Sequence, residues 1–514
     1  MTATPETDLG TAPEAAEHWR RLSPRMLIVH PLQEVMRLAP VLVGVIIAGS
    51  RSGRSELWGL IGVAIAVLLG VGRWATTSYQ VTPHQVQVRQ GLLRRRVLVV
   101  ALDRVRTVDL SANVFQRVLR LSRVTVGTGH TDRNKDGGLR LDALDASDAA
   151  RLRDELLHRR HATPTGDEPA AARPAGAAES VTIAEIRPSW LRFGPFTLSG
   201  LVGVGAVLGV IWNQLRQADV DIASLGLLRT VRDDLENAPL WLDVTVVAVG
   251  IVLVVAVLST IMYAITYGRY RLTREPHGTL HVVRGLLAIR STTIEERRLH
   301  GVELREPLLL RAVGGARCDA VTTGIHGGRG SDRGGALLLP PAPRAEAYRV
   351  AADVLHGTPA ATADLVPHGA RARQRRFTRA LIPALVLTGA VVVLARLSVL
   401  PDWTWHPALA LLPVAALLAV DRYRSLGHAV VDGRLVTRQG SVERRRATVA
   451  ADGIIGWNIS QSFFQRRAGL ATLTATTAGG RQAYDVLDVD EEEATRLADG
   501  LTPGLLTPFL EGPA

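Results

Sequence analysis

The 514-residue sequence contains few of the residues on which most catalytic sites depend. Its single cysteine, Cys318, excludes an internal disulfide, a CxxC redox pair and a thiolate metal cage. Its single lysine, Lys135, belongs to no GxxxxGK[ST] phosphate loop, and no HExxH or GxSxG motif occurs. His277 and His281 fall in a strand-like region, where their spacing places them about 13 Å apart, too far to share a metal. We therefore predict no catalytic residue, no metal site and no cofactor, and we expect a protein that is not an enzyme.

Acidic residues and lysine are scarce relative to arginine, and the formal net charge is +12. The other 59 basic residues are all arginine, which is typical of a GC-rich coding bias, so the charge is weak evidence for nucleic acid and we predict no such partner. Hydrophobic residues make up 47% of the chain and collect in blocks that lack charge. Such blocks exclude a wholly soluble protein.

Six apolar runs approach the roughly 20 residues that a helix needs to cross a bilayer. They fall into three pairs: residues 32–49 and 57–72, 193–215 and 244–268, and 380–395 and 403–420. Seven of the nine tryptophans (Trp58, Trp74, Trp190, Trp212, Trp241, Trp403 and Trp405) lie at or near the ends of these runs. Tryptophan prefers the headgroup layer. The sequence therefore predicts transmembrane pairs within residues 32–74, 190–268 and 378–420.

The distribution of arginine predicts the orientation. Arginines near the span ends concentrate on the side that carries the long segments, whereas the loop between the third and fourth spans is acidic, with residues such as Asp233 and Glu236. The positive-inside rule then places both termini and the long segments in the cytoplasm of a multi-pass plasma-membrane protein. Residues 1–31 have no apolar core of the kind a cleavable signal peptide requires, so we expect a cytoplasmic N-terminal tail.

The three long segments repeat one another. Each opens with a tyrosine (Tyr79, Tyr270, Tyr423), continues as an alternating strand to a glycine turn (Gly91, Gly285, Gly440), adds Thr- and Val-rich strands, and ends in a helix. The predicted modules are residues 75–160, 269–357 and 421–501, each with about seven short strands. Residues 161–180 and 358–370 are rich in Ala, Pro and Gly and are predicted to be linkers with little structure, and residues 502–514 form a C-terminal tail.

This order resembles the bacterial pleckstrin-homology-like (PH-like) domain of YdbS/YdbT-type membrane proteins. The resemblance rests on the tyrosine-led strand, on the Gly-Leu-Leu turns at Gly91 and Gly285, and on the Gln-Arg-x-x-x-Leu stretches that begin at Gln116 and Gln465. It implies a fold of membrane α plus cytoplasmic β: six transmembrane helices in three pairs, each pair followed by a PH-like bent β-sandwich with a C-terminal helix. It also implies a bacterial cell membrane, a role in envelope stress or antimicrobial resistance, and a smaller single-module PH-like membrane protein as partner.

Two groups of arginines are candidate sites. The first follows the glycine turns, where eukaryotic relatives of this fold hold phosphoinositides, and comprises Arg94, Arg95, Arg96, Arg290, Arg444, Arg445 and Arg446. Anionic phospholipid headgroups or a partner protein would bind there, because guanidinium groups match phosphate oxygens; the alternative is a solvated turn. The second group precedes the fifth span and comprises Arg371, Arg373, Arg375, Arg376 and Arg379. These residues fit a topology signal that also contacts anionic lipid.

Two functions remain open at this point. The first is a noncatalytic membrane protein whose three modules bind a partner protein or an anionic membrane surface, since linked modules gain effective concentration. The alternative is a transporter or channel subunit, although the spans have few polar residues beyond Arg37, Asn213 and His406. The Gly205-xxx-Gly209 spacing would allow close helix packing in either case.

Overall fold

The computed structural model describes residues 20–21, 23, 25, 71, 76–82, 85–90, 96–101, 107–127, 138–149, 151–152, 180–197, 205, 209, 213, 240–276, 278–323 and 336–504. The chain divides into two compact units, residues 1–171 and 172–514. The predicted spans 32–49 and 57–72 lie outside the described residues except for Val71, and so does the linker 161–180 except for its last residue.

The first unit contains the strands of the first module. Its strands are β1 (Arg20–Arg21), β2 (Ser78–Val81), β3 (Gln85–Gln90), β4 (Arg96–Ala101), β5 (Thr107–Ala112), β6 (Leu121–Gly127) and β7 (Gly138–Asp145), with a short helix α1 (Val114–Val118) between β5 and β6. Strands β1 to β4 form an antiparallel sheet in sequence order, and β5, β6 and β7 pair in the same way. The alternation in β3 buries Val86 and Val88 on one face, as the period of a strand requires.

The second unit contains the second module and one long apolar helix. Its elements are β8 (Val181–Glu185), a 3-10 segment (Pro188–Phe196), α2 (Leu240–Tyr267), β9 (Arg271–Glu275), β10 (Thr279–Arg284), β11 (Ile289–Glu295), β12 (Leu299–Pro307), α3 (Leu308–Ala312), β13 (Gly315–Thr322), β14 (Ala336–Pro343) and α4 (Arg344–Val354). Strands β8 to β11 are antiparallel neighbours. The core surrounds Tyr270, whose hydroxyl donates to the Leu338 carbonyl oxygen and whose ring faces Trp190.

The third module follows a helical pair in the same unit. Its elements are α5 (Ala370–Arg396), α6 (Trp405–Arg424), β15 (Gly427–Val431), β16 (Arg434–Gln439), β17 (Glu443–Ala450), β18 (Ile454–Ser460), α7 (Phe463–Ala468), β19 (Leu470–Thr477), β20 (Ala483–Asp490) and α8 (Glu491–Leu501). Strands β18, β19 and β20 form one antiparallel sheet, and α8 covers it with Ala494, Ala498 and Leu501. The predicted C-terminal helices of the second and third modules are confirmed.

The second and third modules share a sheet. Strands β15 to β17 continue into β12 to β14, in the order β14-β13-β12-β17-β16-β15. The joint is the antiparallel pairing of β12 with β17, from Gly301 opposite Val449 to Pro307 opposite Glu443, and we call this pairing the seam. Two repeats are therefore joined by backbone hydrogen bonds, which the sequence repeat alone did not predict.

Three described helices are long and apolar enough to cross a membrane: Ala248–Tyr267 within α2, Ala370–Arg396, and Asp402–Arg424. They confirm the predicted spans 244–268, 380–395 and 403–420. Helices α5 and α6 pack through small residues, with the Thr388 hydroxyl donating to the Ala408 carbonyl oxygen at 2.9 Å. Of the predicted six helices in three pairs, the described residues contain one complete pair, α5 and α6, and the single helix α2.

The predicted third span begins too early. Phe193 lies in the 3-10 segment and is fully buried in the core of the second module, beside Leu310 and Gly315. Trp190, expected at the membrane surface, is also buried in that core. Large apolar residues next to a span are indistinguishable from the span by hydropathy, which explains the error. Between residues 197 and 240, only Gly205, Gly209 and Asn213 are described; they are helical, and no atom lies within 4 Å of a Cβ placed on either glycine.

Each module also recruits a short segment from before its predicted span pair. Strand β1 pairs with β2, β8 pairs with β9, and Val366 forms a β-bridge with His428 of β15. These segments supply the seventh strand position of each module. Residues 358–370 are therefore not a loose linker as predicted: they contain a 3-10 turn (Pro359–Ala361) in which Ala360 and Ala361 are buried.

Candidate anion-binding cleft at the third module

The arginines predicted after the glycine turns have different environments. Arg94 and Arg95 lie outside the described residues, and Arg96 begins β4 opposite Gln90. Arg290 is exposed beside the turn of the second module, opposite Arg284. Arg444, Arg445 and Arg446 instead lie along β17 in the seam, half-buried or buried. The third triplet is therefore not a solvated turn.

The seam is an ionic network. Its ion pairs join Arg305 to Asp319 (3.1 Å) and Glu303 (3.4 Å), Arg445 to Glu303 (3.9 Å), Arg444 to Glu306 (3.7 Å), and Arg344 to Glu306 (3.1 Å). Burial raises the pKa of Glu303 and lowers the pKa of Arg446, whose guanidinium donates to the Ala363 carbonyl oxygen at 2.6 Å. All three arginines of this triplet therefore contact the second module: Arg444 and Arg445 through these ion pairs, and Arg446 through the ring of Tyr348, whose centroid lies 5.6 Å from its guanidinium carbon.

The arginines before the fifth span lie on the first turns of α5. Arg371, Arg373 and Arg379 are exposed, whereas the other two turn toward the third module. Arg376 pairs with the buried carboxylate of Asp488 at 2.5 Å, and Arg375 pairs with the same carboxylate. Gln465 also donates to Asp488 at 2.9 Å. The predicted topology signal therefore also fixes the span helix to its module, because the buried carboxylate of Asp488 would lose one of its two guanidinium partners if either arginine were removed.

An open cleft of about 360 Å³ lies where the charged ends of α5 and α6 meet the third module. It is lined by Arg376, Arg422, Leu426, Gln439, Gly440, Glu443, Arg445, Arg481, Asp485 and Leu487. The lining side chains include four arginines and two carboxylates and are net positive, although Arg445 pairs with Glu443 and Arg376 with Asp488 outside the lining. Its volume lies within the ~300–1,000 Å³ range of small-molecule sites.

The backbone shapes the floor of this cleft at Gly440. This residue has φ +99°, and a Cβ placed there would lie 2.0 Å from the Glu443 carbonyl oxygen, so only glycine makes the turn from β16 to β17. The turn places Arg445 beside the last turn of α6, where Arg422 is exposed without an ion-pair partner among the described residues. Arg481 reaches the same space from the β19–β20 connection and lies 3.8 Å from Glu303. An anionic group that entered would find guanidinium donors from three separate elements.

Sequence reasoning identified only part of this cleft. Arg376 and Arg445 are among the predicted site residues, whereas Arg422 is one of the arginines near the span ends that predict the orientation, and no sequence pattern points to Arg481. The run Ala478-Gly479-Gly480-Arg481 has no motif that would mark it, because Arg481 acquires its neighbours only when β19 and β20 pack beside the seam. Among the described residues no group of three His, Cys, Asp or Glu side chains could hold a metal.

Comparison with known proteins identifies bacterial PH domains in two segments of the chain. Residues 32–160 and 380–503 match the family model of the bacterial PH domain. The chain is a membrane protein with bacterial PH domains. It is 19% identical over 433 residues to the UPF0699 transmembrane protein YdbT of Bacillus subtilis (strain 168), covering 83% of this chain and 85% of that protein. No solved structure matches significantly.

The two matched segments enclose the first and third bacterial PH modules together with their predicted span pairs. The second module, residues 269–357, lies outside the family match, yet its strand and helix order from β9 to α4 repeats that from β15 to α8. The predicted resemblance is therefore confirmed for the chain, and the repeat extends to the second module at the level of structure.

Proposed function

We propose that this bacterial PH domain protein is a noncatalytic membrane receptor that holds the anionic headgroup of a membrane phospholipid in the cleft of its third module. The observation that carries the proposal is the convergence of Arg376, Arg422, Arg445 and Arg481 beside the ends of α5 and α6. A cationic cleft beside the ends of two membrane-spanning helices lies at headgroup level.

The arginine distribution supports a cytoplasmic position for the three modules, where the inner leaflet supplies anionic lipid. The resemblance to YdbS/YdbT-type proteins supports a place in envelope stress or antimicrobial resistance, processes in which a sensor of lipid charge would be useful. Under this proposal the exposed Arg290 and the arginines Arg94, Arg95 and Arg96 attract the modules to the anionic membrane surface. The cleft then selects the headgroup that is bound.

The test uses the full-length protein in an uncharged detergent and the anisotropy of a fluorescent short-chain phosphatidylglycerol. The variant is Arg422→Gln with Arg481→Gln, and the matched control is Arg373→Gln with Arg379→Gln, which removes the same charge from the exposed face of α5. We expect the cleft variant to bind at least ~10-fold more weakly, since each guanidinium contact to a charged group contributes about 1 kcal/mol or more. The control should change affinity less than about twofold.

Competition distinguishes the source of the anion. Unlabelled phosphatidylglycerol should displace the probe, whereas phosphatidylcholine and inorganic phosphate at the same concentration should not. Equal loss in the cleft variant and the control would overturn the proposal, because binding would then reflect net charge alone. Displacement by inorganic phosphate would assign the cleft to a soluble anion.

A further inference from the structure

The seam between the second and third modules joins two strands, β12 and β17. A strand equivalent to each of them occurs elsewhere in the repeats. Strand β12 corresponds to β18: each follows a 3-10 turn, and each has a bulge before a glycine, Gly301 in β12 and Gly456 in β18. Strand β17 corresponds to β4, because Arg445 lies opposite Gln439 just as Arg96 lies opposite Gln90. Among the described residues, the third module therefore has a β12-type edge that no strand pairs with, and the first has a β17-type edge that no strand pairs with.

The β12-type edge of the third module is open. Strand β18 is the terminal strand of its three-stranded sheet among the described residues, and Ile455 and Ile459 are 62% and 39% exposed. Gly301 and Gly456 also show that β12 is covered by another strand and that, within the described part of the chain, β18 is not. A Cβ placed on Gly301 would lie 2.0 Å from the Thr448 carbonyl oxygen across the seam, whereas nothing lies within 4 Å of a Cβ placed on Gly456.

The β17-type edge of the first module is open as well. Strand β4 is terminal in the four-stranded sheet formed by β1 to β4, and Val97, Leu98 and Val99 are 51%, 40% and 49% exposed. Their counterparts in β17, residues Arg446, Ala447 and Thr448, are all buried by β12. An exposed apolar edge strand is a template for pairing with another strand, and soluble monomers rarely leave one uncovered.

We propose that β18 of one copy of this protein pairs antiparallel with β4 of a second copy, in the register of the seam. The register places Gly456 opposite Val100, Asn458 opposite Leu98, and Ser460 opposite Arg96. The occupant is a second copy because both halves of the joint occur in the same polypeptide, each without its counterpart, and because the seam already shows how these two strand types fit. The apolar residues of β4 meet Ile455 and Ile459, whereas the seam is ionic.

This contact is head-to-tail, because β18 of each copy pairs with β4 of the next copy. The assembly is therefore a ring or an open row in the plane of the membrane. It concerns a different surface from the lipid cleft and stands or falls separately from it. Strand β18 would be covered in the assembly, and Phe463 and Phe464, both more than 60% exposed, follow it in the chain.

Disulfide cross-linking of the full-length protein in native membranes tests the proposal. Two singly substituted copies, Asn458→Cys with one epitope tag and Leu98→Cys with another, are co-expressed and oxidised. Directly opposed residues of antiparallel strands have Cα atoms about 4.5–5.5 Å apart, within disulfide range, whereas the native Cys318 is buried. We expect a cross-linked dimer that carries both tags. The control replaces Leu98→Cys by Ala101→Cys, about 10 Å along the strand, and should give at least ~10-fold less product.

A second variant separates docking from folding. Gly456→Val should reduce the cross-link at least ~10-fold, because its side chain would meet the carbonyl oxygen of an incoming strand as one at Gly301 would meet Thr448. It should leave the thermal midpoint of the detergent-solubilised protein unchanged. Absence of the mixed dimer, equal cross-linking at Ala101, or no effect of Gly456→Val would each overturn the proposal.

Discussion

Strands β12 and β18 hold the same place in two repeats and have opposite surfaces. In β12 the residues Glu303, Arg305 and Glu306 are almost fully buried and ion-paired. The counterparts of Glu303 and Arg305 in β18 are Asn458 and Ser460, which are both exposed. The repeat fixes the geometry of both edges, and the side chains decide what each edge accepts. A buried charge that forms its ion pair with only one partner strand would be left unpaired by any other strand, so pairing with other strands is disfavoured.

This difference explains how one chain can avoid pairing its own modules wrongly. An apolar strand placed against β12 would leave Glu303 buried without Arg445, which is costly in a desolvated site. A charged strand placed against β18 would gain no ion pair. The seam is therefore selective for its own partner.

The largest effect should come from inserting a side chain into the seam. Gly301→Val would bring its Cβ within 2.0 Å of the Thr448 carbonyl oxygen, so the strands must separate. We expect a loss of at least ~3 kcal/mol of stability and a thermal midpoint lower by roughly 6–12 °C for the purified protein. Gly456→Val, measured at low protein concentration in detergent, should change it by about 1 °C or less. Equal losses would show that the two edges do not differ as described.

A smaller effect should follow from removing one seam charge without changing its shape. Glu303→Gln leaves Arg305, Arg445 and Arg481 with one carboxylate fewer, and we expect a loss of about 2 kcal/mol. Asn458→Gln at the corresponding position of β18 is the control and should stay within about 0.5 kcal/mol. Thermal unfolding followed by circular dichroism gives both values. An unchanged midpoint in Glu303→Gln would mean that the seam is held by its backbone hydrogen bonds alone.

The spans and the repeat could be predicted from the sequence because both are local patterns. Helices α2, α5 and α6 follow from apolar length, and the turn at Gly440 follows from a strand that ends in glycine. The third module's arginines could not be placed in the same way. Their partners Glu303 and Glu306 lie about 140 residues earlier in the chain, in another repeat, and only the pairing of β12 with β17 brings them together.

Two further errors have the same origin. Phe193 extends an apolar run toward the span, and hydropathy does not distinguish a residue that fills the core of a module from one that faces lipid. Residues 358–370 have the composition of a loose linker, yet Val366 pairs with His428 across the edge of the shared sheet. In each case the sequence shows how polar or apolar the segment is, but its structure depends on the module against which it packs.

The opposite edge of the shared sheet gives the smallest predicted effect. Strand β15 is covered there by the segment that precedes α5, including Leu365, the Val366 bridge and His368, whose Nε2 lies 3.0 Å from Nδ1 of His428. Burial, with the neighbouring His428 adding to it, lowers the pKa of His368 to about 4, and burial also lowers the pKa of His428. The other charged groups near the pair are Glu493, Asp488 and Arg376.

Because the folded protein favours neutral His368, the unfolded chain binds more protons between the ordinary pKa of 6.5 and about 4. Stability is therefore complete above this window and falls as the pH falls through it, by about 1 kcal/mol between roughly pH 7.5 and pH 5.5. His368→Gln should flatten this dependence, measured as the thermal midpoint at the two pH values, whereas His406→Gln, on an exposed residue of α6, should keep it. A slope that survives both His368→Gln and His428→Gln would move the acid sensitivity away from this edge. A slope lost only in that variant would show that this edge is covered by a titratable residue, whereas the seam is closed by fixed charges.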